Sequence, residues 1–203
     1  MKLVVTFLTI ISLVSCEGRG PSGLLRSGDM PILDFPLYMS DTFNGTVYKI
    51  DRQGNTEVIV SNLSSPKGIT TDKFQNLYIV ESGEGRLLKV DTNFDGEIDA
   101  GNCQKAKNDL GCLIVNDQFS APSFVAVDGA NEVYVTDDTT NSVVRANDNQ
   151  TIETYDSTPS ALEFGVNDTM VVALVDDSKI IWGTDTVTTE VFQPVGVGID
   201  GAG

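Results

Sequence analysis

One short unit recurs along the chain, and it limits the folds that the chain can adopt. Its clearest copy is residues 66–91, which contains three short runs of strand-forming residues with polar turns between them. The middle run, Leu-Tyr-Ile-Val at residues 77–80, is apolar without alternation, as in a strand covered on both faces. A unit this small cannot cover both faces by itself, so it requires further copies of itself as neighbours.

The further copies are present and in register. Tyr78 is followed after three residues by Glu81 and after thirteen by Asp91. Two other tyrosines have polar residues at the same two offsets: Tyr38 with Asp41 and Asp51, and Tyr134 with Asp137 and Asn147. A fourth, degenerate copy has valine in place of the tyrosine and of the acid: Pro159, Val172, Val175 and Asp185. The repeats therefore predict similar sheets stacked side by side.

A proline opens the unit, and its spacing gives the size of one copy. Pro122 and Pro159 lie 37 residues apart, and Pro159 and Pro194 lie 35 apart, which fits a propeller blade of about 40 residues. Pro66 and Pro122 lie 56 apart, so this blade carries an insertion. We predict an all-β propeller at residues 31–203 with blades at about 31–61, 62–118 (insertion 91–118), 119–158 and 159–193, and the start of another at 194–203.

The repeated pattern resembles a known family. Pro-x-Gly-Ile-x-x-Asp, then Leu-Tyr-Ile-Val-Glu, then Arg-Leu-Leu-Lys-Val-Asp, is similar to NHL-type repeats, which occur in the wider group of six-bladed, TolB-like propellers that includes the SMP-30/gluconolactonase proteins. The resemblance covers about residue 37 to the C-terminus. It implies a six-bladed parent protein, of which this chain holds about four blades and the start of a fifth. It does not fix the function, because this fold hosts lactonases, lyases, receptors and binding modules.

The ends of the repeat region predict an incomplete ring. The first blade lacks the Pro-x-Gly strand that opens the other blades, and the last copy stops at Gly203, one residue before its next strand. Propellers are often closed by pairing the first and last stretches of chain in one blade. A truncated, open arc exposes the unpaired faces of its terminal blades, so we expect a chain of this kind to aggregate or to associate with itself.

The N-terminus predicts export. Lys2 precedes a twelve-residue apolar run, residues 3–14, which is too short to cross a membrane and has the length of a signal-peptide core. Leu-Val-Ser-Cys at residues 13–16 matches a bacterial lipobox, so residues 1–16 predict a signal peptide with Cys16 as the lipidated residue. An ordinary cleaved signal is the alternative. Residues 17–30 are rich in glycine and predict a flexible tether to the bacterial cell envelope, in the periplasm or at the cell surface.

The insertion begins with a candidate calcium loop. Residues 91–99 read D-x-N-x-D-G-x-x-D, which places side-chain oxygens at alternate positions and a glycine at the sharp turn. The pattern resembles calcium loops between propeller strands in integrin α-chains, whereas an EF-hand would need a glutamate where Asn102 stands. The predicted ligands of a structural calcium ion are Asp91, Asn93, Asp95, Glu97 and Asp99. The alternative is an acidic turn that binds nothing.

The insertion also contains two of the three cysteines. With Cys16 assigned to the lipid, Cys103 and Cys112 are the remaining pair, and an exported chain favours a disulfide between them. Two free thiols, the alternative, would require a reducing compartment. The chain contains no histidine that could activate either sulfur, which argues against a catalytic thiol.

The strongly negative net charge disfavours polyanionic partners. The net charge is −16, from 29 acidic and 13 basic residues, so nucleic acid and anionic membrane surfaces are poor partners. We expect no nucleic-acid partner, and membrane contact only through the lipid.

Two functions remain open. The favoured one is a non-catalytic module that binds a protein or glycan, because the chain has no histidine and no nucleophile motif. The alternative is a metal-dependent hydrolase that resembles the SMP-30-like lactonases, with Asp41, Glu81 and Asp137 around a metal in the central tunnel. In the favoured interpretation these repeated acids cap the turns that follow their strands.

Overall fold

The computed structural model describes residues 36–105, 110–188 and 191–198. The predicted signal peptide, tether and lipidated Cys16 lie outside the described residues, as does the end of the last copy. No helix within the described ranges is long and apolar enough to span a membrane.

The described residues form sixteen strands and three short 3-10 helices. The strands are β1 (Leu37–Asp41), β2 (Thr46–Ile50), β3 (Thr56–Ser61), β4 (Pro66–Thr71), β5 (Asn76–Glu81), β6 (Arg86–Asp91), β7 (Ile98–Asp99), β8 (Cys112–Asn116), β9 (Pro122–Val127), β10 (Val133–Asp137), β11 (Ser142–Arg145), β12 (Gln150–Thr154), β13 (Pro159–Phe164), β14 (Met170–Leu174), β15 (Lys179–Trp182) and β16 (Asp185–Thr188). The 3-10 helices are Ser82–Glu84, Ala100–Asn102 and Val166–Asp168.

These strands form four four-stranded sheets, one for each predicted blade. The strand orders are β1-β2-β3-β7, β4-β5-β6-β8, β9-β10-β11-β12 and β13-β14-β15-β16. All pairs are antiparallel except β3 with β7. In the second, third and fourth sheets the proline-opened strand comes first, whereas the described part of the first sheet starts at β1, the equivalent of β5 and β10.

The core lies between neighbouring sheets. Val47 and Val60 of the first sheet pack with Ile79 and Leu88 of the second. Two similar clusters join the second sheet to the third and the third to the fourth. This stacking explains the unbroken apolar run in β5, which is buried on both faces. The predicted all-β propeller architecture is confirmed.

The proline-opened strands β4, β9 and β13 lie innermost and contact one another in sequence. Gly68 shows how closely β4 and β9 approach. A Cβ atom at this position would lie 2.7 Å from the backbone oxygen of Ser123 and 2.8 Å from the Cα of Phe124. The glycine of the Pro-x-Gly motif is therefore required here by packing between adjacent blades.

An aspartate anchors the turn at the far end of the inner strands β4 and β9, whereas Gly165 stands at this position after β13. Asp72 accepts hydrogen bonds from the backbone N–H groups of Phe74 and Asn76, both at 2.9 Å, and from the Asn76 side chain at 2.7 Å. Burial opposes ionisation of Asp72, but these hydrogen bonds outweigh it and hold its pKa below the usual value. Burial, with the adjacent Asp72 carboxylate, raises the pKa of Tyr78 to about 12.

Replacing Asp72 with asparagine should lower the free energy of unfolding by about 1–3 kcal/mol at neutral pH, because donors in a buried turn lose a charged acceptor. The folded-state pKa lies below the unfolded value of about 3.9, so this stabilisation is full above that pH and is lost as the pH falls through the folded value. Urea titrations at neutral and acidic pH measure it. Asp51→Asn is the control and should have the smaller effect, because Asp51 makes the same set of hydrogen bonds in an exposed turn, the one between β2 and β3. A difference between Asp72→Asn and wild type that grows on acidification would contradict this account.

The insertion connects two blades. After β6 the chain leaves the second sheet, adds β7 to the outer edge of the first sheet beside Val60 and Ser61, and returns as β8 beside β6. The outermost strand of the second sheet thus lies inside the range assigned to the insertion, residues 91–118, and the excursion itself covers residues 92–111. The predicted disulfide between Cys103 and Cys112 is confirmed, with 5.2 Å between their Cα atoms. It links the second half of this excursion to the first residue of β8.

Candidate functional site

Glu81, the most deeply buried of the three repeated acids, stabilises the fold. Its side chain is 1% exposed. One carboxylate oxygen accepts the backbone N–H of Ser64 at 2.7 Å, and the other accepts Nε of Arg86 at 2.5 Å. Arg86 also donates to the backbone oxygen of Ala100 at 3.2 Å. Glu81 therefore stabilises the segment that leads into β4. Its partner Arg86 links it to the insertion through the hydrogen bond to Ala100.

The other two repeated acids also serve turns. Asp137 accepts backbone N–H groups on both sides of its strand, from Ser120 at 2.6 Å and from Thr139 at 3.0 Å. Asp41 accepts the backbone and side-chain donors of Asn44, at 2.9 and 2.7 Å. The hydrogen bond from the Asn44 backbone, followed by that from its side chain, lowers the pKa of Asp41.

The repeated acids do not come together in a metal-binding group among the described residues. Asp41 and Asp137 accept N–H groups of the turns beside them, and Glu81 accepts those of Ser64 and Arg86. Within residues 36–105, 110–188 and 191–198, no three His, Cys, Asp or Glu side chains come together in a group that could hold a metal. We therefore derive no chemical step through a metal.

A different set of polar side chains meets where the inner strands begin. We call Lys67, Ser123, Thr136 and Asp138 the mouth cluster. Lys67 and Ser123 are the second residues of β4 and β9, and Asp138 directly follows β10. The ammonium of Lys67 lies 3.4 Å from Oδ2 of Asp138, so the pair joins two blades. Asp138 and Lys67 are partly exposed, with side-chain exposures of 31% and 40%.

The buried part of the mouth cluster orients the carboxylate. The backbone N–H of Phe124 donates to Oγ1 of Thr136 at 3.0 Å. Thr136 and Ser123 share a hydrogen bond of 2.8 Å, and the Ser123 hydroxyl donates to Oδ1 of Asp138. Since Ser123 uses its one proton on Asp138, Thr136 is the donor to Ser123. The chain of hydrogen bonds thus runs in one direction, from the backbone to the exposed carboxylate.

Such an arrangement suits acid–base chemistry. Each carboxylate oxygen has two lone pairs, and the contacts above use one on each oxygen. The remaining lone pairs of Asp138 can accept a proton from a bound water or substrate, and the neighbouring ammonium can stabilise negative charge.

The repeat pattern in the sequence points to Asp137 and not to its neighbour Asp138, so the mouth cluster was not predicted. A signal was present, because Lys67, Ser123 and Ser160 follow the three opening prolines and are all polar. The contact between Lys67 and Asp138 joins residues 71 positions apart, which only the packing of the blades reveals.

The candidate calcium loop borders a cleft between the first and second sheets. Asp91, Asn93 and Asp95 line a cleft of about 410 Å³ with Lys49 and Glu57 of the first sheet. Oδ1 of Asp91 accepts the backbone N–H of Asn93 at 2.9 Å. Asp99 lies in β7 and caps the helix Ala100–Asn102 through the N–H of Gly101, and Glu97 is exposed without lining the cleft. The structure thus brings three of the five predicted ligands to one cleft.

Solved structures show the same architecture. Virginiamycin B lyase from Staphylococcus aureus, solved with quinupristin, gives a TM-score of 0.53 at 17% identity, over 72% of this chain and 48% of that chain. A gluconolactonase from Xanthomonas campestris gives 0.56 at 17% identity, over 72% and 53%. A putative gluconolactonase gives 0.51 at 15% identity, over 71% and 52%. At these identities the likeness establishes the β-propeller fold alone.

The chain spans about half the length of these solved structures. No protein-family profile matches it. No curated protein matches it either.

Proposed function

We propose that the chain supplies half the ring of a propeller hydrolase similar to the gluconolactonases, which opens small cyclic esters where the inner strands begin. The observation that carries this proposal is the carboxylate of Asp138, held between a buried serine hydroxyl and a lysine ammonium. The similar solved structures, a lyase and gluconolactonases, favour small-molecule chemistry over a passive scaffold.

Asp138 acts as the general base in this proposal. A water bound to its carboxylate loses a proton to Asp138 as the water oxygen bonds to the ester carbonyl carbon. Negative charge develops on the carbonyl oxygen, next to the ammonium of Lys67. The bond between the carbonyl carbon and the ring oxygen then breaks, and Asp138 returns the proton to that oxygen. Ser123 and Thr136 act as positioning residues, because they hold the carboxylate in one orientation.

The test is turnover of a panel of γ- and δ-lactones by the full chain, followed as proton release at constant pH, with and without calcium or manganese. We expect saturable hydrolysis of at least one lactone above the uncatalysed rate. Absence of turnover across the panel, by protein whose near-ultraviolet circular dichroism shows a packed fold, would contradict the proposal.

A non-catalytic module that binds a protein or glycan is the second candidate. The excursion between β6 and β8 favours it, because its residues 98–99 pair with the first sheet and its Cys103 is bonded to Cys112. A pre-organised loop loses little entropy on binding a partner. This candidate makes the opposite prediction for the lactone panel, namely no turnover on any member.

We also propose that the repeats are of the NHL type and that the protein is exported. Residues 1–16 would direct secretion, and Cys16 would carry lipid at the bacterial cell envelope; both rest on the sequence pattern. Mass spectrometry of the mature protein tests the second point, since an N-terminus downstream of residue 16 would refute lipidation.

Calcium at residues 91–99 remains a proposal that rests on the spacing of the oxygen-bearing residues. Calcium should raise the melting temperature of the full chain, and chelator should reverse the shift. Asp95→Ala should abolish the shift, whereas Asp117→Ala, outside the loop, should retain it. A wild-type melting temperature that is the same with calcium and with chelator would refute the site.

A further inference from the structure

The inner strand that carries Lys67 begins with a β-bulge. The pairing of β4 with β5 shifts in register between Pro66 and Ile69, so Lys67 and Gly68 stand where a regular antiparallel strand has one residue. A β-bulge leaves part of the backbone outside the ladder and changes the direction of a side chain. Groups next to the bulge therefore determine where the Lys67 side chain points.

Two hydroxyl groups of the first blade hold the backbone at this bulge. The hydroxyl of Ser40 donates to the backbone oxygen of Lys67 at 2.7 Å, and that of Thr42 donates to the backbone oxygen of Pro66 at 2.6 Å. These two carbonyls belong to the peptide groups on either side of the Lys67 Cα atom. The first blade thus fixes the part of the backbone from which the ammonium extends.

The third blade uses the same two positions at its own bulge. The register of β9 against β10 also shifts after the opening proline. Thr136 and Asp138, on either side of the repeated acid, accept hydrogen bonds from this bulge. Ser40 and Thr42 lie on either side of the repeated acid in the first blade, whereas the second blade has Val80 at the first of these positions. Ser40 and Thr42 therefore stand where the third blade carries two members of the mouth cluster.

The position of the Lys67 backbone matters for the proposed reaction. The ammonium pairs with Asp138 at 3.4 Å and also has to stabilise the charge that develops on the carbonyl oxygen. A lysine side chain is a flexible four-carbon stem, so the reach of its ammonium depends on where the Cα atom is held. A displacement of about 1 Å in a positioned group can lower the rate by about 10²-fold.

We propose that Ser40 and Thr42 are positioning residues that hold the bulge of β4 so that Lys67 reaches Asp138. Three blades then contribute to one site. The first fixes the backbone, the second supplies the ammonium and the third supplies the carboxylate. The kinetic part of this inference rests on the proposed lactone hydrolysis, whereas the pairing of Lys67 is measurable without turnover.

The kinetic test is Thr42→Val, which keeps the shape of the side chain and removes its hydroxyl. At a temperature where every variant is folded, kcat should fall by about 5–10-fold with KM little changed, because the lost hydrogen bond served the charged transition state. Thr42→Ser should restore kcat, and Ser40→Ala should lower it as Thr42→Val does. Thr158→Val is the control and should stay near wild type, because its hydroxyl donates to Asp176 at 3.0 Å in the fourth blade.

Trace acetylation with acetic anhydride, measured by mass spectrometry on the full chain, gives the second readout. Labelling of Lys67 is expressed relative to the exposed Lys73. Thr42→Val should raise this ratio by about two- to fivefold, toward that of Asp138→Asn, in which Lys67 has no charged partner. If no lactone is hydrolysed, the proposed function fails, and this ratio still tests the position of Lys67. A ratio or a kcat in Thr42→Val equal to that in Thr158→Val would overturn the inference.

Discussion

Replacing Glu81 with alanine should lower the free energy of unfolding by about 3–5 kcal/mol, because the change leaves a buried charge without its partner. In this variant the side chain of Arg86, which is 15% exposed, has no carboxylate partner, and the N–H of Ser64 has no acceptor. Urea denaturation of the full chain measures the loss as a shift in the unfolding midpoint at constant slope.

A double-mutant cycle separates the ion pair from lost packing. The double variant Glu81→Ala/Arg86→Ala should be less destabilised than the sum of the two single variants, because it leaves no unpaired charge. The exposed pair of Lys105 and Asp117 provides the control, and Asp117→Ala should cost no more than about 1 kcal/mol. If the cost of Glu81→Ala matches that of the control, Glu81 does not have the structural role assigned to it.

This result would also separate two roles of the repeated acids. Substituting a metal ligand that does not support the fold lowers activity and leaves stability nearly unchanged. Substituting a residue that anchors a turn lowers the stability of the fold instead. The contacts of Glu81 and Asp137 with backbone N–H groups of the segments that enter β4 and β9 predict the second outcome.

The sequence predicted the fold to the level of individual strands because the signals are local. Proline, the turn aspartates and the apolar run around Tyr78 mark the strands of each copy without reference to other copies. The disulfide was predictable for a similar reason, since two cysteines that remain in a chain predicted to be exported have one partner each. The two-residue strand β7 was not predictable, because it forms only where the insertion meets the edge of a neighbouring sheet.

The candidate site was harder to predict for the same physical reason. Repetition drew attention to Asp41, Glu81 and Asp137, yet residues repeated in every blade are those that every blade needs for its own turns. Asp138 is less regular, since Ser82 stands at the equivalent position of the second blade. Its partner Lys67 lies on a different blade, so the pair exists only after the inner strands pack together.

Asparagine in place of Asp138 should lower kcat for lactone hydrolysis by about 10²–10⁴-fold, because asparagine cannot accept the proton of the attacking water. KM should change little, since the amide has the shape of the carboxylate. Ser123→Ala should have a smaller effect, because it frees the carboxylate to rotate but leaves the base in place. Its deficit should fall on kcat at a temperature where the variant is still fully folded, which a purely structural role would not produce.

The measurement that tests the central claim most directly is kcat for Asp138→Asn beside Asp176→Asn, on the lactone that wild type hydrolyses best. Asp176 holds the equivalent position in the fourth blade, where it accepts a hydrogen bond from Thr158 at 3.0 Å. If the mouth cluster performs the chemistry, Asp138→Asn loses about 10²-fold or more while Asp176→Asn stays near wild type, and both remain folded. If Asp138→Asn hydrolyses the lactone as fast as Asp176→Asn does, Asp138 is not the base and the assigned site is wrong.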